Sequence, residues 1–374
     1  MDMKAQVAII GGGLAGLTAA IDLNRRGFSV LVIEKKQYPQ HKVCGEYLSA
    51  EVQPYFKQLG LDLTHLQPEK VNRFRLYAPN GQFVEQQLPL GGLGIRRYAL
   101  DHHLYQHAKM QGVQFLLNTQ ISEVQSSLEQ TDLCTKKGDT ISAQVVLASF
   151  GKRANLDRLL QRPFVQEAAD YVGIKFYIQA DFPADLVTLY NFAGGYAGAV
   201  QVEDGSIDIA YLCRARQLQE AGGISALEEQ ILFKNPAIRA LFTSGDRYPQ
   251  PPIAISNVSF LPKRQVVEGM LMVGDAAGMI PPLAGNGMAM GIHGAKLAVA
   301  ATTDFLHHKL SRQQMEDQYQ TQWNRTFARR LRWGRRLHQF MGRPMISDWA
   351  VRSLAVYPPL LKPIIRFTHG KPIH

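Results

Sequence analysis

The run Val7-Ala8-Ile9-Ile10-Gly11-Gly12-Gly13-Leu14-Ala15-Gly16 constrains this chain more than any other stretch. Val7 to Ile10 predict a buried strand, and Leu14 onward predicts a helix. Gly11 permits the tight turn between them. Gly13 lets the backbone approach a pyrophosphate, and Gly16 lets helix and strand pack closely. Leu14 and Ala15 open a helix whose free N–H groups and positive dipole end face that phosphate. Gly27 closes the helix, and Phe28 to Ile33 form a second strand. Glu34 ends that strand, with Lys35 beside it, where an acid takes ribose hydroxyls. An acid here, and not an arginine, argues against a 2′-phosphate, so the ligand reads as FAD or NAD before NADP.

The rest of the chain must supply a domain of ordinary globular composition. Its 374 residues allow two domains or one large discontinuous one, and 46% hydrophobic content suits either. Asp2 and Lys4 lead straight into the first strand, so no signal peptide is expected, and the early apolar stretch is too interrupted by glycines and Asp22 to span a bilayer. Cys44, Cys134 and Cys213 are too widely spaced for a disulfide framework or a zinc motif, and a reduced, cytoplasmic setting follows. His103 and His107 stand one helical turn apart without an evident third ligand, so no metal site is expected. The net charge of +10 concentrates in residues 323–344, where Arg325, Arg329, Arg330, Arg332, Arg335, Arg336 and Arg343 occur without an acid. Nucleic acid, an anionic membrane surface and a solvated helix face are the readings of such a stretch. Trp323, Phe327, Leu331, Trp333, Leu337 and Phe340 are interleaved with these arginines. The expectation is peripheral membrane contact through 323–344, with no nucleic acid.

Along the chain, 37–49 form a loop holding Cys44-Gly45-Glu46, and 51–60 predict a helix with Tyr55, Phe56 and Leu59 inward. Residues 72–88 alternate as a hairpin around Pro79-Asn80-Gly81, and Gly91–Gly94 read as a glycine turn. Arg97 opens a helix through Met110. A hairpin over 133–143 precedes Gln144–Ser149, a continuous apolar strand suited to a parallel sheet. Four β segments between Tyr171 and Cys213 predict a separate antiparallel sheet, with Tyr190, Phe192, Tyr196 and Tyr211 lining a hydrophobic cavity or simply packing. Met270–Gly278 repeats the pattern of strand, turn and acid. Residues 286–307 predict a buried helix, and the tail beyond Gln313 a basic helix ending irregularly near Pro358, Pro363 and Pro372.

GxGxxG with Glu34, Arg97-x-x-Leu100-Asp101, and Gly274-Asp275-Ala276-Ala277 followed by Pro282-x-x-Gly285-x-Gly287 occur in that order. The set resembles the FAD-dependent aromatic hydroxylase superfamily, which also holds geranylgeranyl reductases and flavin-dependent halogenases, over about Val7 to Asp304. The resemblance implies an α/β fold. A Rossmann-type, GR2-like FAD-binding domain (1–72, 92–168 and 254–308) would carry an inserted antiparallel β-sheet substrate domain (73–91 and 169–253) and a helical, basic C-terminal region (309–374). It places the FAD diphosphate on Gly11–Gly16, the adenosine ribose on Glu34, and the ribityl chain on Asp275 after Gly274. Pro282 would lie near the isoalloxazine ring. The helix start Gly285-Asn286-Gly287-Met288 would face the pyrimidine edge, and Arg97 would meet the flavin or its phosphates.

Three departures from that pattern shape the functional reading. Phe150 stands in Ser149-Phe150-Gly151-Lys152-Arg153 where the hydroxylases carry an Asp-Gly pair tied to NAD(P)H contacts. Gly278 stands where many hydroxylases have His, leaving more open space beside the flavin. Trp323, Trp333 and Trp349 cannot form the Trp-x-Trp motif of the halogenases. Cys44-Gly45-Glu46 is similar to a Cys-Gly motif of the reductase branch. Cys44, activated by Lys42 or His41, and Glu46, as proton donor or substrate anchor, are the expected catalytic residues. The expected function is an FAD-dependent monooxygenase of a hydrophobic aromatic or polyketide-like molecule, with NADPH or NADH as electron donor. The alternatives are a reductase of a lipid or isoprenoid double bond and a flavin-binding protein without turnover.

Overall fold

A computed structural model describes residues 2–374 apart from 168–169, 283–284, 362–364 and 366–369. Two sheets organise it. The first has the order Val266–Val267, Met270–Met272, Thr140–Ala148, Asp2–Ile10, Val30–Ile33, Gln114–Leu116, and all its neighbours from Met270–Met272 onward pair in parallel. Val7 to Ile10 are buried, as are all four residues of Val30–Ile33, and the helix Leu14–Arg25 packs on both strands.

The second arm of the hairpin expected over 133–143 and the strand expected over 144–149 form one nine-residue strand, Thr140–Ala148. Its first half pairs with Thr131–Thr135 and alternates between inward and outward residues. Its last four residues are buried beside the first strand. One strand thus passes from alternating to continuous burial, and the side-chain pattern changes with it.

The second sheet runs Asp246–Arg247, Tyr171–Gln179, Ile207–Arg214, Gly195–Gln201, Leu186–Phe192, Glu69–Tyr77, Phe83–Gly94, Tyr47–Ser49, with Ile253–Val258 also on Tyr171–Gln179. It is antiparallel except where Leu186–Phe192 runs parallel to Glu69–Tyr77. Gly91–Gly94, expected as a turn, finish the strand Phe83–Gly94. An added Cβ at Gly92 or Gly94 would run into Tyr47 or the Gln201 carbonyl, so these glycines serve close strand approach. Tyr190, Phe192 and Tyr211 pack with Leu227, Ile238 and Leu241 under helices Ile224–Gln230 and Pro236–Thr243. Tyr196 lies in a different cluster, with Leu189, Leu212 and Met279. All four aromatics therefore build core, in two clusters.

The helix Leu14–Arg25 packs on Gly287–Leu306, which in turn packs on the 29-residue helix Arg312–Phe340. Met315, Tyr319, Trp323, Phe327 and Leu331 recur every four residues along Arg312–Phe340 and are all buried. That stripe faces the protein's own core. Trp333 and Phe340 of this helix stay exposed, and further on, in the helix Pro344–Val356, Met345 is 87% and Trp349 72% exposed. Among the described residues no helix is long and apolar enough to cross a membrane.

Candidate active site

The nucleotide loop is built by a left-handed residue and two close approaches. Gly11 has φ +104°, and a Cβ there would stand 2.5 Å from the Ser149 carbonyl oxygen. Ser149 Oγ donates to Gly11 O at 2.6 Å, tying the loop to the end of Thr140–Ala148. Gly13 caps the helix Leu14–Arg25 without a side-chain hydrogen bond and with no acid in the first turn, so the N–H groups of that turn remain for an anion. Glu34 is buried and accepts from Gly12 N at 2.7 Å and from Lys36 N at 3.1 Å. Tyr38 donates to Gly12 O at 2.5 Å and stacks on Tyr105 at 4.3 Å, giving the Glu34 side of the loop an aromatic wall. Lys35 is exposed at its rim.

Cations stand over the loop from the other side. Lys42 Nζ lies 3.5 Å from where a Gly13 Cβ would be, and it pairs with Asp101 at 2.9 Å. Arg97 grips the same buried Asp101 with two bonds of 2.8 Å. Burial works against both charges, yet Asp101 holds the Arg97 guanidinium above its ordinary pKa, and Arg97 with Lys42 hold the Asp101 carboxyl below its own. One acid between two cations leaves a net positive charge beside the phosphate loop.

The second glycine motif meets the first directly. A Cβ on Gly274 would lie 3.1 Å from the Ala15 side chain, and one on Gly291 would lie 3.6 Å from it. Asp275 follows in a short 3-10 turn, and burial pushes its carboxyl up against the pull of Lys263, Arg97 and Lys152. Lys263 Nζ donates to Lys152 O at 2.6 Å and to Asp275 O at 2.8 Å. Buried Arg162 pairs with Asp157 and donates to Ala276 O at 2.9 Å. Lys263 and Arg162 therefore brace this turn. Neither was singled out from sequence, because both are distant in the chain and act on backbone carbonyls, which leave no motif.

The helix Gly287–Leu306 starts beside this turn. Pro282 is exposed, and its carbonyl accepts from Gly285 N at 2.8 Å. Gly287 is exposed, while Asn286 and Met288 are buried. Asn286 Nδ2 donates to Glu51 Oε2 at 3.3 Å, and the buried Glu51 also takes the Gly370 N–H and lies 3.8 Å from Arg330. Ile373 N donates to Glu51 O at 2.8 Å, so the C-terminal residues are tied to this helix start. Sequence reasoning missed Glu51 because its partners come from three remote stretches. The Tyr47 ring lies 3.4 Å from where a Gly285 Cβ would be, which brings the Cys44–Tyr47 segment to the same place.

Within that segment the two expected catalytic residues differ. Cys44 is half-buried against the nucleotide-domain core. Burial pushes its thiol up, and Glu46 adds to this, while Arg97 and Lys175 oppose it. Lys42 is engaged by Asp101, and His41 stacks on Tyr98 at 4.5 Å with its pKa lowered by burial, so neither activates a thiolate as expected. Cys44 stays a protonated thiol. Glu46 is buried at φ +47°, in ion-pair contact with Lys175. It accepts from Arg97 N at 2.9 Å and from Tyr177 Oη at 2.9 Å. Lys175 also pairs with Asp208 at 3.3 Å, and all three charged groups are buried. Burial raises both carboxyls above their ordinary values, Asp208 well above, against the pull of Lys175. Burial opposes the Lys175 ammonium, but Asp208 and Glu46 outweigh it and hold its pKa above the ordinary value. The expected proton donor or substrate anchor is thus fully engaged and pins the loop to the second sheet.

The place a side chain at Gly278 would take is occupied. A Cβ there would stand 2.8 Å from the buried Trp323 ring, which fills the position. Phe150 packs partly against the core, and its Cα is 2.8 Å from where a Gly11 Cβ would be.

The loop, the buried acid, the cations and the two helix starts form a continuous cradle with the donors and acceptors of an FAD site. Gly11–Gly16, Lys42 and Arg97 suit the diphosphate, Glu34 the ribose and Asp275 the ribityl chain. Comparison with known proteins agrees. The sequence matches the FAD binding domain family over residues 4–191 and the squalene epoxidase family over 249–327. The chain belongs to the FAD binding domain family. Among its relatives, the menaquinone reductase of Mycobacterium tuberculosis is 25% identical over 80% of this chain and 76% of its own. Digeranylgeranylglycerophospholipid reductase 1 of Methanothermobacter thermautotrophicus is 26% identical over 80% of this chain and 77% of its own. Among solved structures, the flavin-dependent brominase Bmp2 shares the fold with a TM-score of 0.80 at 16% identity, over 98% of this chain and 93% of that one. This family member is an FAD-dependent oxidoreductase of the superfamily that holds monooxygenases, halogenases and reductases.

Proposed function

We propose that the protein is a flavin-dependent reductase acting on a carbon–carbon double bond of a long apolar, isoprenoid-like molecule, with NADPH or NADH as the external reductant. The observation that carries this reading is the Cys44 thiol, pushed up by burial beside Arg97, Glu46 and Lys175, on the segment whose Tyr47 reaches the helix start at Gly285. Bound FAD supplies hydride chemistry at such a site. The chain's own contribution is the proton: Cys44 Sγ holds one at neutral pH and regains it from water after delivery. Glu46 acts as a positioning residue, because its bonds to Lys175, Tyr177 and Arg97 fix the loop carrying Cys44. Lys42 and Arg97 hold the cofactor's phosphates. The two reductases named above act on lipid-soluble molecules, which supports an apolar substrate here.

The reading also sets the protein against a membrane, through the end of the basic stretch and the helix that follows it. Trp323, Phe327 and Leu331 are core. The surface assigned to the bilayer is Pro344–Val356 with Phe340, where Met345, Trp349 and Val356 stand out beside Arg343 and Arg352.

The squalene epoxidase match over 249–327 favours a second reading, oxygen insertion into a similar substrate. Oxygen uptake separates the two. The reductase reading expects substrate turnover under strict anaerobiosis with stoichiometric NAD(P)H consumption. Turnover that needs one oxygen per product establishes the monooxygenase instead.

A further inference from the structure

A cleft of about 210 Å³ lies between the segment 261–265, the residues 277–279 and one face of the helix Arg312–Phe340. That is room for roughly seven waters at about 30 Å³ each, more than a structural water site needs. Its walls divide by chemistry. Trp323, Leu331 and Met279 form an apolar side, and Lys263, Arg332 and Arg335 bring three cations. No carboxylate lines it. Arg335 is pushed below its ordinary pKa by burial and by the like charge of Arg332, with no acid acting on it in return.

The three cations are not equivalent. Lys263 spends its amine on two carbonyls and lies 4.4 Å from the Phe164 ring centre, so it adds field and no directed bond. Arg332 is exposed and Arg335 half-buried. Their planar forks suit a carboxylate or a phosphate, and an apolar group behind such an anion would rest on the Trp323 ring.

We propose that this cleft binds an amphiphilic organic anion, its carboxylate or phosphate on Arg332 and Arg335 and its apolar part on Trp323, Met279 and Leu331. The site is separate from the reaction proposed above and does not depend on it. It is nevertheless close to the cofactor cradle: Gly278 and Trp323 also line a gap of about 10 Å³ with Asp275 and Gly287. A ligand lying on Trp323 is therefore one side chain from the residues assigned to FAD.

Calorimetry on the FAD-loaded protein tests this with octyl phosphate and with neutral octanol. The expected result is one saturable site that prefers octyl phosphate by at least about tenfold. Arg332→Gln with Arg335→Gln removes the preference. Ala328→Trp, which fills the cleft, removes the site while flavin absorbance is retained. Equal binding of the two probes, no saturable binding, a preference that survives the double substitution, or a site that survives Ala328→Trp each overturns the proposal. Vesicles of phosphatidic acid then distinguish the source of the anion. Co-sedimentation lost in the double variant and competed by octyl phosphate identifies a lipid headgroup in the cleft. Co-sedimentation unaffected by the double variant, with octyl phosphate binding intact, identifies a free small anion.

Discussion

Replacing Lys175 by Met tests how the loop that carries Cys44 is held. In the wild type one ammonium lies between two buried carboxyls, in contact with Glu46 and 3.3 Å from Asp208. Removing it leaves two acids in a site from which water is excluded, and breaking a buried pair in this way costs about 3–5 kcal/mol. The pH dependence follows from the same geometry. Burial already raises both carboxyls above their ordinary values, and loss of the cation raises them further. A group whose folded pKa is raised contributes stability that is present below its unfolded pKa and is lost as pH rises through the folded one. The Lys175→Met defect is therefore largest at neutral and alkaline pH and shrinks as pH falls to about 4 and below, where both acids become protonated in the folded and then in the unfolded state. Urea unfolding of wild type and variant from pH 4 to 8 measures it, with Lys175→Met/Asp208→Asn expected to recover part of the loss. A difference below about 1 kcal/mol that does not change with pH refutes the assigned charge network.

The other predictions concern the cradle and the surface. Gly13→Val places a branched side chain where the phosphate and Lys42 must approach, so the purified protein should lose most of its bound flavin while keeping wild-type circular dichroism. Flavin absorbance per chain checks it. Lys263 has its pKa lowered by burial from 10.5 to about 8. The unfolded chain then binds more protons between those values, so stability rises with pH across that window by up to about 3 kcal/mol. Lys263→Met should flatten that rise in pH-resolved unfolding curves. Met345→Ser/Trp349→Ser should weaken co-sedimentation with anionic vesicles by at least about tenfold without changing flavin content, whereas Phe327→Ala should act mainly on stability, because Phe327 is buried.

Both glycine turns could be read from the chain because each is local: strand, turn and helix lie within a few residues, and Glu34 and Asp275 close their own strands. The meeting of Ala15 with Gly274 and Gly291 required the fold, yet the two motifs already implied it. The partners of Glu46 were hidden. Lys175, Tyr177 and Asp208 lie on strands remote in the chain, and an alternating strand pattern does not reveal which inward residue is charged for a purpose. The apolar residues of 323–344 divide for a related reason. A four-residue spacing shows that a helix has an apolar face, but not whether that face meets a membrane or the preceding helix. Here Gly287–Leu306 claims Trp323 and Phe327, while Trp333 and Phe340 stay exposed, with Trp349 beyond them. Gly278 shows the same limit, since a missing side chain reads as space until Trp323 is seen to fill it.

The most direct test of the account is anaerobic stopped-flow reoxidation of the dithionite-reduced holoprotein by a polyprenyl substrate, wild type against Cys44→Ala. The account predicts that substrate reoxidises the flavin without oxygen. It also predicts that Cys44→Ala slows this step by about 100-fold, as loss of a positioned proton donor should, while flavin content and dithionite reduction are unchanged. Flavin that stays reduced until oxygen is admitted, or a Cys44→Ala protein that reoxidises at the wild-type rate, contradicts it.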